Sequence, residues 1–186
     1  MKVSKTPLQD LLLVEIDIHR DSRGHFAETW NARRYLEAGI PAKFVQENVS
    51  FSQRGVLRGL HFQLPHAQSK LVQVLQGAVF DVAVDLRKKS PSFGKWWGTE
   101  LSGENGKQLY IPEGFAHGFL VTADNTMFSY HCSELYHPES EHTLLWNDPD
   151  LNIQWPNEHP LLSPKDAAAE TYAEWIKRPE SDLFRI

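Results

Sequence analysis

The chain has 186 residues, 41% hydrophobic and 23% charged, with 11 glycines, 11 prolines and a formal charge of −5. That length suits one domain over residues 1–186, and the acidic balance excludes a general nucleic-acid surface, which needs a clustered basic excess. The single cysteine, Cys132, excludes an internal disulfide and any zinc site framed by a cysteine pair.

In chain order, the first apolar run, Leu11 to Val14, is too short for a signal segment or a membrane span. The expectation is a cytoplasmic protein with no membrane partner. Leu12–Ile18 reads as a strand, and as one that could pair across a subunit boundary to cover a sheet edge. RDSRGHFAE, Arg20 to Glu28, sets Arg23 and Glu28 around a glycine turn, the pattern of a solvated charged loop. Asn31 to Ala38 reads as a helix, stopped by Gly39 with Pro41 beyond. Phe44–Ser52 follows as a strand in which Gln46 and Asn48 share a face. Two carboxamides there suit either a sheet edge or a polar ligand.

Val56–Gln63 contains RGLHFQ. Alternation puts His61 on one face with Gly59 and Gln63, and Leu60 and Phe62 on the other. An imidazole flanked by nothing bulkier than Gly and Gln points into a space. Arg58 falls opposite His61 unless Gly55 or Gly59 supports a bulge. Leu71–Leu75 and Val79–Leu86 alternate around Gln76-Gly77, which predicts a hairpin. Trp96–Leu101, Lys107–Ile111, Phe119–Val121 and Met127–Cys132 complete the strands, separated by the turn stretches SPSFG, SGENG, IPEG and TADN. Short strands at short intervals predict an all-β sandwich or barrel in place of βαβ units. Pro164–Ile176 reads as a C-terminal helix, with Ser163 and Asp166 forming its start box.

LHFQLPHAQSKLVQV brings His61, His66 and Lys70 close in sequence. Barrel metalloproteins of the cupin type carry two histidines one residue apart, then a glutamate, then a later histidine. Here the second histidine and the glutamate are missing, and Lys70 puts a cation where an acidic ligand belongs. GKQLYIPEGFAHG keeps Gly106, Pro112, Gly114 and His117, the downstream half of that pattern. The scaffold reads as a cupin whose metal ligands are gone. His19, His25, His131, His137 and His142 are most simply surface residues.

RDSRGHF, QENVSFS, GVLRGLHFQ, QLYIPEGFAHGF and NDPDLNIQWP together resemble the dTDP-4-dehydrorhamnose 3,5-epimerase family, from about Leu13 to Asp166. The resemblance implies an all-β, cupin-type double-stranded β-helix (jelly roll), a homodimer, a dTDP-sugar substrate, and neither metal nor organic cofactor. It places the catalytic base on His61, the family's lysine on Lys70, its tyrosine on Tyr130 and the histidine-orienting aspartate on Asp166. Substrate contacts fall on Arg23, Glu28, Gln46, Asn48, Arg58, His117, Glu141 and Lys165. Tyr136 competes with Tyr130 as the acid.

The implied chemistry suits those residue types. Inverting a carbon beside a ketone means removing a weakly acidic proton, holding an enolate and returning a proton to the opposite face. Histidine, with an ordinary pKa near ~6.5, suits the base, a lysine ammonium suits the enolate oxygen, and a tyrosine supplies the returning proton. The sequence departs from the family's usual pattern at His131, Glu134 and His142 to Leu145, a region that borders the substrate in the family and so bears on sugar preference and on the number of inverted carbons. Competing readings are a single-carbon epimerase on another dTDP-4-keto-deoxysugar, a metal-dependent cupin dioxygenase, and a non-catalytic sugar-nucleotide binding module.

Overall fold

Period-two alternation along short strands builds two facing antiparallel sheets in the computed structural model, which describes residues 1–41 and 43–184. The first strands are β1 (Lys2–Lys5), β2 (Leu12–Glu15), β3 (Ile18–Asp21), β4 (Gly24–Ala27), β5 (Gln46–Ser52) and β6 (Leu57–Gln63). After them come β7 (Lys70–Gln76), β8 (Ala78–Asp85), β9 (Trp96–Ser102), β10 (Lys107–Ile111), β11 (Phe115–Val121), β12 (Thr126–Cys132) and β13 (Glu141–Thr143). One sheet runs β1-β2-β10-β7-β12-β5 and the other β13-β6-β11-β8-β9, while β3 and β4 form a separate hairpin. Two sheets face to face with this strand crossing are the arrangement of a jelly roll.

Between the sheets lie Val72, Val74, Leu109, Ile111 and Phe128 from one side and Val79, Ala83, Leu101, Phe115, Phe119 and Val121 from the other. Phe119 and Phe128 stack with ring centroids 4.0 Å apart. A second cluster joins Leu60, Phe62, Val82 and Val84 to Leu144, Leu151, Ile153 and Trp175 of the C-terminal segment. Each such valine, leucine, isoleucine or phenylalanine side chain removed from water stabilises the fold by roughly 1.5–3 kcal/mol.

The expected helix near residue 31 forms as α1 (Ala32–Glu37). Asn31 caps it by accepting from the Arg34 amide, and Gly39 follows with φ +86°. The expected C-terminal helix is broken in two, α2 (Pro164–Ala167) and α3 (Tyr172–Trp175). Glu170 is drawn into a bridge with Leu144, its carbonyl accepting from the Leu145 amide at 2.8 Å, and Thr171 then starts a new helix.

The expected hairpin around Gln76-Gly77 does not form. β7 pairs with β10 and β12, whereas β8 pairs with β9 and β11. Gly77, at φ +81°, carries the chain from one sheet to the other, and a Cβ there would stand 2.8 Å from the Thr126 Cα. Leu12–Ile18 is also divided: β2 ends at Glu15 and β3 begins at Ile18. Because β1 and β10 flank β2 on both sides, it offers no free edge to another subunit. The edge strands are β1, β5, β9 and β13.

Candidate active site

At one end the two sheets part around a cavity of about 340 Å³. On one wall, β5 turns Gln46, Asn48 and Ser50 inward, and the register of β12 sets Tyr130 beside Asn48 and Cys132 beside Gln46. Lys70, at the start of β7, is the register partner of Cys132. On the facing wall β6 contributes Arg58, His61 and Gln63, β11 contributes His117 and Phe119, and β13 contributes Glu141.

Strict alternation would send Arg58 away from His61. The pairing with β11 shows why it does not: Arg58 faces Phe119 and His61 faces His117, so three steps along β6 match two along β11. One extra residue at Gly59-Leu60 makes a bulge and returns both side chains to the same face. Only glycine fits there, because φ is +116° and a Cβ would meet the Gly118 Cα and the His117 carbonyl at 2.6 Å. Arg58 is held by Ser52, whose Oγ accepts from Nη2 at 3.2 Å.

His61 Nε2 lies 2.6 Å from Asp166 Oδ1, and Asp166 is buried in the first turn of α2. An ionised carboxylate only accepts, so Nε2 carries the proton and Nδ1 is left with its lone pair. Burial lowers the His61 pKa, and the Asp166 bond opposes that shift. Burial pushes the Asp166 carboxyl up, but hydrogen bonds from His61 and Ser163 outweigh it and hold the group below the usual carboxylate range. Asp166 therefore serves the helix start and the histidine together.

Burial also lowers the Lys70 pKa, with Cys132, Glu141 and Asp81 pulling the other way. The Tyr130 phenol is pushed up by burial. Among the described residues, neither Lys70 Nζ nor the Tyr130 hydroxyl has a hydrogen-bond partner. Tyr136 also lines the cavity, but its hydroxyl already donates to Glu141 Oε2 at 2.8 Å. Glu141 in turn pairs with Lys165 at 2.8 Å, which puts Lys165 at the rim, behind the carboxylate that lines the cavity.

Arg23 and Glu28 are not brought to this cavity. Arg23 sits at the turn of the β3–β4 hairpin, 88% exposed, and pairs with Asp21 at 2.6 Å. Glu28 pairs with Arg34 at 2.8 Å and accepts from Asn31 Nδ2 at 3.1 Å. Both belong to a segment outside the two main sheets. Of the histidines read as surface residues, His131, His137 and His142 are half-buried and make packing contacts. His142 stacks on Phe62 and donates to the Leu64 carbonyl, His131 packs on Phe44, and His137 stacks on His66 at 4.0 Å.

The sequence reading missed Asp81, whose Oδ2 lies 2.9 Å from His117 Nε2. It is fully buried, its carboxyl is pushed up by that burial, and its Oδ1 has no partner among the described residues. An acidic residue inside the apolar stretch VFDVAVD was the available signal. Cys132, which accepts from Asn48 Nδ2 at 3.9 Å, and Gln63 were missed too. Among the described residues, no three His, Cys, Asp or Glu side chains gather at a metal-binding spacing.

Comparison with known proteins places this geometry. The family model for dTDP-4-dehydrorhamnose 3,5-epimerase matches residues 5–174. A dTDP-4-dehydrorhamnose 3,5-epimerase of Shigella flexneri is 50% identical over 176 residues, covering 94% of this chain and 97% of the relative. The crystal structure of the Elizabethkingia anophelis dTDP-4-dehydrorhamnose 3,5-epimerase superposes with a TM-score of 0.87 at 48% identity, covering 94% of this chain and 97% of that one. A Legionella pneumophila dTDP-6-deoxy-D-glucose-3,5-epimerase, solved in complex with dTDP-4-keto-L-rhamnose, has a TM-score of 0.88 at 52% identity, covering 91% and 92%.

Proposed function

The chain belongs to the dTDP-4-dehydrorhamnose 3,5-epimerase family, and from that premise we propose how its cavity inverts C3 and C5 of dTDP-4-dehydro-6-deoxy-D-glucose to give dTDP-4-dehydro-L-rhamnose. The observation that carries the proposal is the placement of His61 and Tyr130 on opposing sheets, so that base and acid reach the sugar from opposite walls. The 4-keto group acidifies both neighbouring carbons. His61 Nδ1 takes the proton, and Asp166 holds the ring and stabilises the imidazolium. Lys70, with no competing partner among the described residues, meets the enolate oxygen with a fixed positive charge.

Tyr130 returns a proton on the far face. Its raised pKa keeps the hydroxyl protonated, and the bond to Glu141 disfavours Tyr136 for this role. Gln46, Asn48, Arg58, His117 and Glu141 surround the sugar nucleotide, with Lys165 at the rim. No cofactor enters this scheme, because the substrate's own ketone supplies the acidity.

The working unit in this proposal is a homodimer. Strand β5 is an edge, and its outward Val49 and Phe51 are 56% and 55% exposed, while Phe26 on the hairpin is 72% exposed. Contacts from Arg23 and Glu28 to substrate then come from a second copy. Among the described residues no helix is long and apolar enough to cross a membrane, and the proposal places the enzyme in the cytoplasm.

The test is incubation with dTDP-4-keto-6-deoxyglucose in deuterated water, followed by NMR at C3 and C5. Inversion with deuterium at both carbons is expected. Deuterium and inversion at one carbon alone would make the enzyme a single-carbon epimerase, and exchange at neither would overturn the proposal.

A further inference from the structure

We propose that Ser163 is a positioning residue for the base: its hydroxyl proton aims the Asp166 carboxylate at His61. This rests on reading His61 as the base. Ser163 is the N-cap of α2, where its Oγ accepts from the Asp166 amide at 3.1 Å. The same oxygen lies 2.8 Å from Asp166 Oδ2. A hydroxyl has one proton and an ionised carboxylate has none, so that proton points at Oδ2. Oδ1 receives the His61 Nε2 proton at 2.6 Å. Each carboxylate oxygen of a side chain only 4% exposed therefore has its own donor, and the plane of the carboxylate is fixed by two bonds at once.

The cap of α3 shows that this is not the usual box. At α3 the cap hydroxyl also donates to the acidic side chain, Thr171 Oγ1 to Glu174 Oε2 at 2.8 Å, but that same oxygen reaches back to accept from the Thr171 backbone amide at 2.8 Å, and both halves of the capping box are present. At α2 the acidic residue makes no such return bond. Its first oxygen goes to a histidine 105 residues earlier, and the serine hydroxyl satisfies the second. The helix start has been turned into a clamp. Pro164, at the first helical position, has no amide to compete for the cap.

Helix capping and carboxylate aiming separate by substitution. Glycine serves nearly as well as serine at an N-cap, whereas alanine does not, and neither has a hydroxyl; threonine retains both functions. Ser163 does not line the cavity, so substrate binding should be untouched. We expect Ser163→Gly to melt close to the parent yet lose on the order of 10-fold in kcat with KM unchanged. That loss is smaller than the ~10²-fold that follows displacement of a reacting group by an ångström. Ser163→Ala should lose as much in kcat and melt lower, and Ser163→Thr should regain kcat. Parental kcat in Ser163→Gly, with loss only in Ser163→Ala, would show a cap and nothing more. A rise in KM at constant kcat would also overturn the proposal. His61→Ala, assayed in parallel, isolates the premise: if it keeps its activity, the base has been misassigned whatever the Ser163 variants do.

Discussion

His61, Lys70 and Tyr130 are displaced by the same burial in directions that suit one pH window. The His61 pKa is lowered mainly by burial, so the neutral, proton-accepting ring persists below the ordinary value of about 6.5. Lys70 is lowered as well, so its charge is lost below the ordinary ~10.4, while burial raises Tyr130 and favours its protonated form. The kcat/KM profile should be a bell whose acid limb lies below pH ~6.5 and whose alkaline limb belongs to Lys70. Lys70→Arg should move the alkaline limb outward, and an unmoved limb would assign it elsewhere. The roles of base and acid separate in a second measurement. His61→Ala should fold normally and lose about 10²–10⁴-fold in rate, with exchange and inversion falling together. Tyr130→Phe should still exchange the C5 hydrogen with deuterated solvent while giving little inverted sugar, because His61 can return a deuteron to the face it left. If Tyr136→Phe shows that behaviour in its place, the acid lies six residues along.

At the scale of elements, the site depends on one defect in β6. The bulge at Gly59-Leu60 lets Arg58 and His61 share a wall, and any Cβ at residue 59 collides with backbone on β11. Gly59→Ala should cost about 2 kcal/mol or more in urea unfolding and should impair the pocket in whatever protein still folds. A stability within 0.5 kcal/mol of the parent, on the order of a neutral surface change, would refute this reading of the bulge. Elements of this kind mark what local sequence can and cannot reveal. His61 was legible because parity along a strand is a local property, and the helix before Gly39 because a glycine stop is local too. The Gln76-Gly77 segment misled because alternation is identical whether two arms pair with each other or with different sheets. The division of the C-terminal helix depended on Leu144, far away in sequence. Asp81 could be seen as an odd acid in an apolar strand, but its partner His117 becomes visible only when β8 and β11 lie side by side.

At the scale of the whole molecule, the positions of Arg23 and Glu28 and the bare edge of β5 set the expected assembly. Sedimentation at micromolar concentration should give about twice the 21.3 kDa chain mass. Replacing the exposed pair Val49 and Phe51 with charged residues should return it to one chain. A monomer in the parent protein would leave the outward face of β5 without a partner.

If base and acid act from opposite walls, the stacked rings of Phe119 and Phe128 would give the interior a role in stereochemistry. Phe119 lines the cavity and Phe128 is buried behind it, the two reaching toward each other from opposite sheets. On the proposed mechanism they would space the two walls from which base and acid reach the same planar intermediate. A thinner spacer lets the walls approach or tilt, and the hand of the product then depends on a residue that never meets the sugar. Phe128→Leu should therefore reduce the ratio of inverted to merely exchanged product more than it reduces exchange itself. An unchanged ratio in a variant of lowered stability would show that the gap is held by the strands alone.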